Sequence, residues 1–264
     1  MLRCSAVSAM IEDRVLNAPS TLPRDKPNLR EAEPAYVLHT YPFKETSLVV
    51  EVLTREFGRV GLVAKGARRP RSAMRGSLMA FQPLLLSWSG KSELRVLHRA
   101  EWQMGQPQMA GIALICGFYL NELLLKLLQR EDPHPSLYAC YEEALGALRA
   151  GLPPAAVLRR FELRMLSDLG YGLALDVDAY GVAIDVDADY AYVLERGAIP
   201  ATDGAVADGA LEICGKTLLD MLRDDYTDPV TVQQSRALMR LTINHHLGGQ
   251  TLHTRQLLRD MQRS

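Results

Sequence analysis

The chain has 264 residues, 48% of them hydrophobic and 23% charged, a length that fits one or two domains. Thirty Lys and Arg against 31 Asp and Glu leave a formal net charge of −1. Collagen-like, disordered and disulfide-scaffold classes are excluded by composition, and any nucleic-acid role must come from segregated charge. Aromatics make up only 6%, which leaves few side chains for base stacking. The four cysteines, Cys4, Cys116, Cys140 and Cys214, include no C-x-x-C pair, and this predicts a reducing cytoplasm. The N-terminus is too polar for a signal peptide. Asn121, Glu122 and Lys126 break the longest apolar run, so a soluble, intracellular protein is expected.

Residues 1–34, with Pro19, Pro23, Pro27 and Pro34 and no hydrophobic period, predict a flexible leader. Five short strands follow: Tyr36–Tyr41, Ser47–Thr54, Arg59–Ala64, Pro83–Trp88 and Glu93–Leu97, the last two joined by a Ser89-Gly90-Lys91 turn. So many strands in so short a stretch predict a small closed barrel, because closure removes exposed edges. After Pro107 the period becomes helical over Met109–Arg130, Ser136–Ala150, Pro154–Leu169, Ala210–Arg223, Pro229–Leu247 and Thr254–Gln262. The expected architecture is α+β: a barrel over 35–106, then a helical domain over 107–264. An acidic insertion near 176–208 carries eight acids and one base and is expected to be solvated, with Val182, Ile184 and Val186 forming a short hairpin.

The strongest chemical signal is basic. Residues 55–75 hold Arg55, Arg59, Lys65, Arg68, Arg69, Arg71 and Arg75 against the single acid Glu56. The segment Gly66–Gly76 joins the third and fourth strands, and guanidinium groups on such a loop suit paired contacts to phosphate oxygens. Arg95 and Arg99 are expected to extend the track. Arg236, Arg240 and Arg255 form a second run near the C-terminus, joined by Arg259 and Arg263, and the first three are expected to add DNA contacts from the helical domain. Asn121 and Glu122, set inside an apolar helix, predict interhelical hydrogen bonds rather than a site.

Catalytic and metal motifs fail on inspection. Gly61-x4-Gly66 is followed by Ala67-Arg68 where a P-loop needs Lys and Ser or Thr. Asp185, Asp187 and Asp189 resemble the start of a calcium loop, but Tyr190 stands where Gly is required and Arg196 where the closing Glu should be. Adjacent His245 and His246 are expected to face different sides of a helix, and no acidic or thiol ligand accompanies them along the chain. No catalytic constellation, cofactor or metal is expected.

Several motifs in order resemble the bacterial DNA repair protein RecO family. They are Tyr36-Val37-Leu38-His39, Lys44-Glu45-Thr46-Ser47-Leu48, Gly58-Arg59-Val60, Val63-Ala64-Lys65-Gly66-Ala67-Arg68 and Phe81-x-Pro83-Leu84. Tyr119-Leu120-Asn121-Glu122-Leu123, Leu158-Arg159-Arg160-Phe161-Glu162, Leu169-Gly170-Tyr171-Gly172, Leu247-Gly248-Gly249 and Thr254-Arg255-Gln256-Leu257-Leu258 continue the match to about residue 260. The resemblance implies an OB-fold barrel before a helical domain. It also implies a recombination mediator, cytoplasmic and nucleoid-associated, that binds single- and double-stranded DNA and anneals it. RecR and in some members RecF are implied partners, as is the loading of RecA onto strands coated by single-stranded-DNA-binding protein (SSB). Leu158, Arg159, Arg160 and Phe161 are expected to receive the SSB C-terminal tail. Many members carry a four-cysteine zinc site after the Leu-Gly-Tyr motif, whereas residues 173–215 here hold only Cys214. The leader is also longer than the family needs. The alternatives are a metal-dependent nucleic-acid-processing enzyme using Asp185, Asp187 and Asp189, and a scaffold that never contacts DNA.

Overall fold

The computed structural model describes residues 29–103, 105–201 and 209–261. Cys4, most of the expected leader and Arg263 lie outside them. Strands β1 (Arg30–Phe43), β2 (Ser47–Thr54), β3 (Gly58–Ala64), β4 (Pro83–Ser89) and β5 (Leu94–Trp102) close into a barrel in the order β1-β2-β3-β5-β4. Only β3 and β5 run parallel. This is an OB-fold barrel. The short helix α1 (Met74–Ser77) sits in the β3–β4 connection. Strand alternation builds the barrel interior: Leu84, Leu86 and Trp88 point inward from β4, against Val50, Val52, Val60 and Leu62.

Helices α2 (Gly111–Leu127), α3 (Pro135–Arg149) and α4 (Pro154–Asp168) follow, then β6 (Asp189–Val193), β7 (Gly197–Pro200) and β8 (Leu211–Cys214), and finally α5 (Gly215–Leu222), α6 (Pro229–His246) and α7 (His253–Met261). Pro135, Pro154 and Pro229 each occupy the first helical turn, where a missing N–H costs nothing. No helix among the described residues is long and apolar enough to cross a membrane.

Three expectations need correction. The strand read from Tyr36 begins at Arg30, so residues 30–34 pair with β4 instead of joining a leader. The buried Glu33 carboxylate accepts the Glu56 N–H at 2.8 Å and fixes that entry. The helix read over Ala210–Arg223 is a strand followed by a helix. Gly215 marks the junction: its N–H donates to the Ala188 carbonyl, and a Cβ there would lie 1.9 Å from the Asp185 carbonyl oxygen. The acidic insertion is no solvated appendage. β6, flanked by β7 and β8, places Tyr190, Tyr192, Ala198 and Ile213 in the helical core. The hairpin lies at Asp189–Pro200, while Val182 and Val186 are exposed and only Ile184 is buried.

The barrel and helices share their interior. A bulge in β1 leaves Leu38 without a partner on β2, and its carbonyl accepts the Asn121 side-chain amide at 2.8 Å. Tyr141 donates to Asn121 Oδ1 at 2.6 Å, so Asn121 makes one buried interhelical bond and one bond from α2 to the barrel. Tyr36, Leu38 and Leu53, though on barrel strands, belong to the helical core.

Candidate nucleic-acid interface

Beyond Ala64 the chain leaves β3 in a series of tight turns. Arg69, Ser72 and Arg75 donate their N–H groups to the carbonyls of Gly66, Arg69 and Ser72. Ala67, fully buried, pins the loop to the barrel. The Arg68 N–H donates to the Thr46 carbonyl at 2.9 Å, and its guanidinium reaches the Glu45 carbonyl at 3.3 Å, so the loop leans on the β1–β2 turn. Lys65, Arg68, Arg69, Arg71 and Arg75 are all exposed, and none forms an ion pair among the described residues. Five cations without an ion-pair partner on an ordered loop concentrate positive potential and keep most of their donors available to an anionic ligand.

The other barrel cations expected on the track, Arg59, Arg95 and Arg99, are already engaged. Arg59 donates to the Leu125 carbonyl at 2.9 Å and lies 3.8 Å from the buried Glu51, joining β3 to the end of α2. Unlike the loop cations, Arg59 is held within the protein by these two partners. Arg95 pairs with Glu131 at 2.8 Å and is largely covered. Arg99 is exposed but paired with Glu101.

The C-terminal basic run gathers around a cavity between helices. Arg236 and Arg240 of α6 and Arg255 of α7 meet Arg159 of α4 around a cavity of about 310 Å³, whose apolar walls include Ile112, Cys116 and Leu158. Arg159 is buried and donates to the fully buried Glu162 at 2.5 Å, and Tyr119 donates to the same oxygen at 2.7 Å. Burial works against the Arg159 charge, but the Glu162 carboxylate more than offsets it and raises the pKa. Arg255 donates to Asn244 Oδ1 at 2.6 Å and to the Tyr119 hydroxyl at 3.2 Å. Glu162 neutralises Arg159 at this rim. An apolar cavity ringed by cations suits a hydrophobic group carrying a carboxylate.

Of the four residues expected to form a partner groove, Leu158 and Arg159 line this cavity and two do not. Phe161 is fully buried in the core, and Arg160 points elsewhere, donating its Nε–H to Asp224 at 2.7 Å. Tyr119 was missed, as was Ile112, because sequence spacing carries no sign of which helices meet. Among the described residues, no group of three or more His, Cys, Asp or Glu is arranged to hold a metal ion. Asp185 instead accepts the Asp187 N–H, closing a local turn.

Comparison with known proteins gives the same two-part division. A family model described as "Recombination protein O N terminal" matches residues 30–104, and one described as "Recombination protein O C terminal" matches residues 109–256. A DNA repair protein RecO of Nitrosospira multiformis is 56% identical over 234 residues, covering 88% of this chain and 96% of the relative. One from Aromatoleum aromaticum is 52% identical over 233 residues, with the same coverage. A third, from Burkholderia lata, is 49% identical over 265 residues, covering 97% of this chain and 95% of that protein.

Proposed function

The chain belongs to the recombination protein O family of DNA repair proteins, and from that premise we propose that it is a non-enzymatic recombination mediator that binds and anneals DNA. The observation that carries the DNA reading is the set of five exposed, unpaired cations, Lys65, Arg68, Arg69, Arg71 and Arg75, on one ordered loop of an OB-fold barrel. Annealing by such a surface requires no catalytic residue. Neutralising the phosphates of two strands lowers their repulsion and lets base pairing proceed.

The second element of the proposal is the cavity walled by Leu158 and rimmed by Arg159, Arg236, Arg240 and Arg255. It fits the C-terminal tail of SSB, an acidic segment ending in a hydrophobic residue with a free carboxylate. Holding that tail and the strand together raises the effective concentration of each contact. On this reading the protein works in the cytoplasm at the nucleoid, with RecR and in some settings RecF, and helps load RecA onto SSB-coated strands.

The decisive measurement is single-strand affinity against salt. With about five phosphates neutralised, log affinity falls against log salt with a slope near −3.5. Changing Arg68, Arg69 and Arg71 together to Ala flattens the slope by about 2. An unchanged slope would move the DNA site elsewhere.

A further inference from the structure

Among the described residues the barrel exposes two large aromatic side chains that phosphate contact does not use, Tyr41 and Trp102, and the second is tied to the helix of the β3–β4 connection. Trp102, the last residue of β5, is 49% exposed, although an indole is among the side chains most favoured for burial. Its Nε1–H donates to the Ser77 carbonyl at 2.9 Å. The ring is therefore tethered to α1, whose last turn carries Arg75.

Topology brings this ring to the basic end of the barrel. β5 runs parallel to β3, with Gly61 opposite Leu94 and Val63 opposite Val96. Both strands thus leave the barrel in the same direction, β3 into the arginine loop and β5 into Trp102. The single polar atom of the indole is satisfied by the protein itself, and what remains for a ligand is apolar ring surface next to the helix that carries Arg75.

We propose that Trp102 stacks on an unpaired base of a strand held by the arginine loop, and so gives the barrel a preference for single-stranded over double-stranded DNA. Every base offers a π-face, so the contact is indifferent to sequence. A duplex has its bases already stacked on one another and offers no such face. The inference rests on the DNA-binding reading and adds to it the residue that senses strandedness.

Intrinsic fluorescence tests this directly, because the chain has two tryptophans and the other, Trp88, is fully buried in the barrel. Titration with an oligo-dT strand is expected to quench the Trp102 emission, while a duplex of equal charge leaves it unchanged. Trp102→Ala is expected to weaken oligo-dT binding, measured by anisotropy, by about ten-fold or more, with duplex affinity and salt slope unchanged. Trp102→Phe, which keeps a ring, is expected to retain part of the effect and guards against misfolding. Salt-sensitive oligo-dT binding with no quenching, or equal losses on single strand and duplex, would overturn the role of Trp102 alone. Absence of any DNA binding would overturn the DNA reading and this inference together.

Discussion

Glu122 of α2 caps a helix 131 residues further along the chain: its carboxylate accepts the Thr254 hydroxyl at 2.6 Å and the N–H groups of His253 and Thr254 at 2.9 and 3.0 Å. Those N–H groups open α7, the helix that carries Arg255 to the rim of the cationic cavity. A carboxylate at a helix N-terminus satisfies donors that the helix cannot satisfy itself. Burial pushes the Glu122 pKa upward, but the bonds from Thr254 and His253 outweigh it and hold it below its ordinary value of 4.5.

A folded-state pKa below the unfolded one means that this stabilisation is full above pH 4.5 and fades as pH falls through the folded value. Glu122→Gln is therefore expected to cost about 1–2 kcal/mol at pH 7, the range for a lost cap, and to match the parent in acid. Chemical denaturation of both proteins from pH 7 to pH 3 checks this, and a gap independent of pH would contradict it. Hydrogen exchange at His253 and Thr254 should accelerate in the variant.

At the cavity, the arginines separate by role. Arg236→Ala is expected to weaken binding of an SSB tail peptide by about 1.5–3 kcal/mol, the range for a hydrogen bond to a charged group. Arg160→Ala, which removes only the surface pair with Asp224, should leave that affinity unchanged. Arg159→Ala would strand the Glu162 carboxylate in the core and is expected to cost about 3–5 kcal/mol of stability. Anisotropy with a labelled peptide, alongside thermal melts, distinguishes the three.

Gly58 adopts φ +63°, and a Cβ there would lie 2.0 Å from the Asp132 carbonyl oxygen. Gly58→Ala forces both a left-handed backbone and a backbone clash at the seam between the barrel and the start of α3. A loss above about 2 kcal/mol is expected, lowering the melting temperature by at least about 4 °C. Gly76, with nothing within 4 Å of its Cβ position, is the matched control.

The Asp-rich segment is organised by peptide hydrogen bonds. Asp178 accepts the N–H groups of Tyr180 and Val182, each at 2.9 Å, and Tyr190 accepts that of Asp185 at 2.9 Å. A chelator is therefore expected to leave the melting temperature unchanged, and one zinc per chain on metal analysis would refute this.

What was legible in the sequence was whatever local pattern governs. The short apolar run Pro83–Trp88 marked β4, and prolines in first turns marked two helices. The start of β1 was hidden because Glu31, Glu33 and Pro34 resemble a leader until Glu33 finds the Glu56 N–H. Leu211–Cys214 reads as part of a helix because four residues are too few to set a period, and pairing with β6 decides it. The cationic loop was readable as contiguous sequence. The cavity was not, since Ile112, Arg159, Arg236 and Arg255 meet only when four helices pack. Arg59 shows the converse: a basic residue beside a basic loop is absorbed by Glu51 and the Leu125 carbonyl.

The shared interior also sets an order of events during synthesis. Tyr36, Leu38 and Leu53 are completed by Leu120, Tyr138 and Tyr141, which follow them in the chain by some 70 to 100 residues. At roughly 5–20 residues per second, the nascent barrel presents an oily flank to the ribosome exit and its chaperones for several seconds before α2 and α3 emerge to cover it. A chain released early, near residue 106, would keep that flank bare, and aggregation rather than a working half-protein is its expected fate.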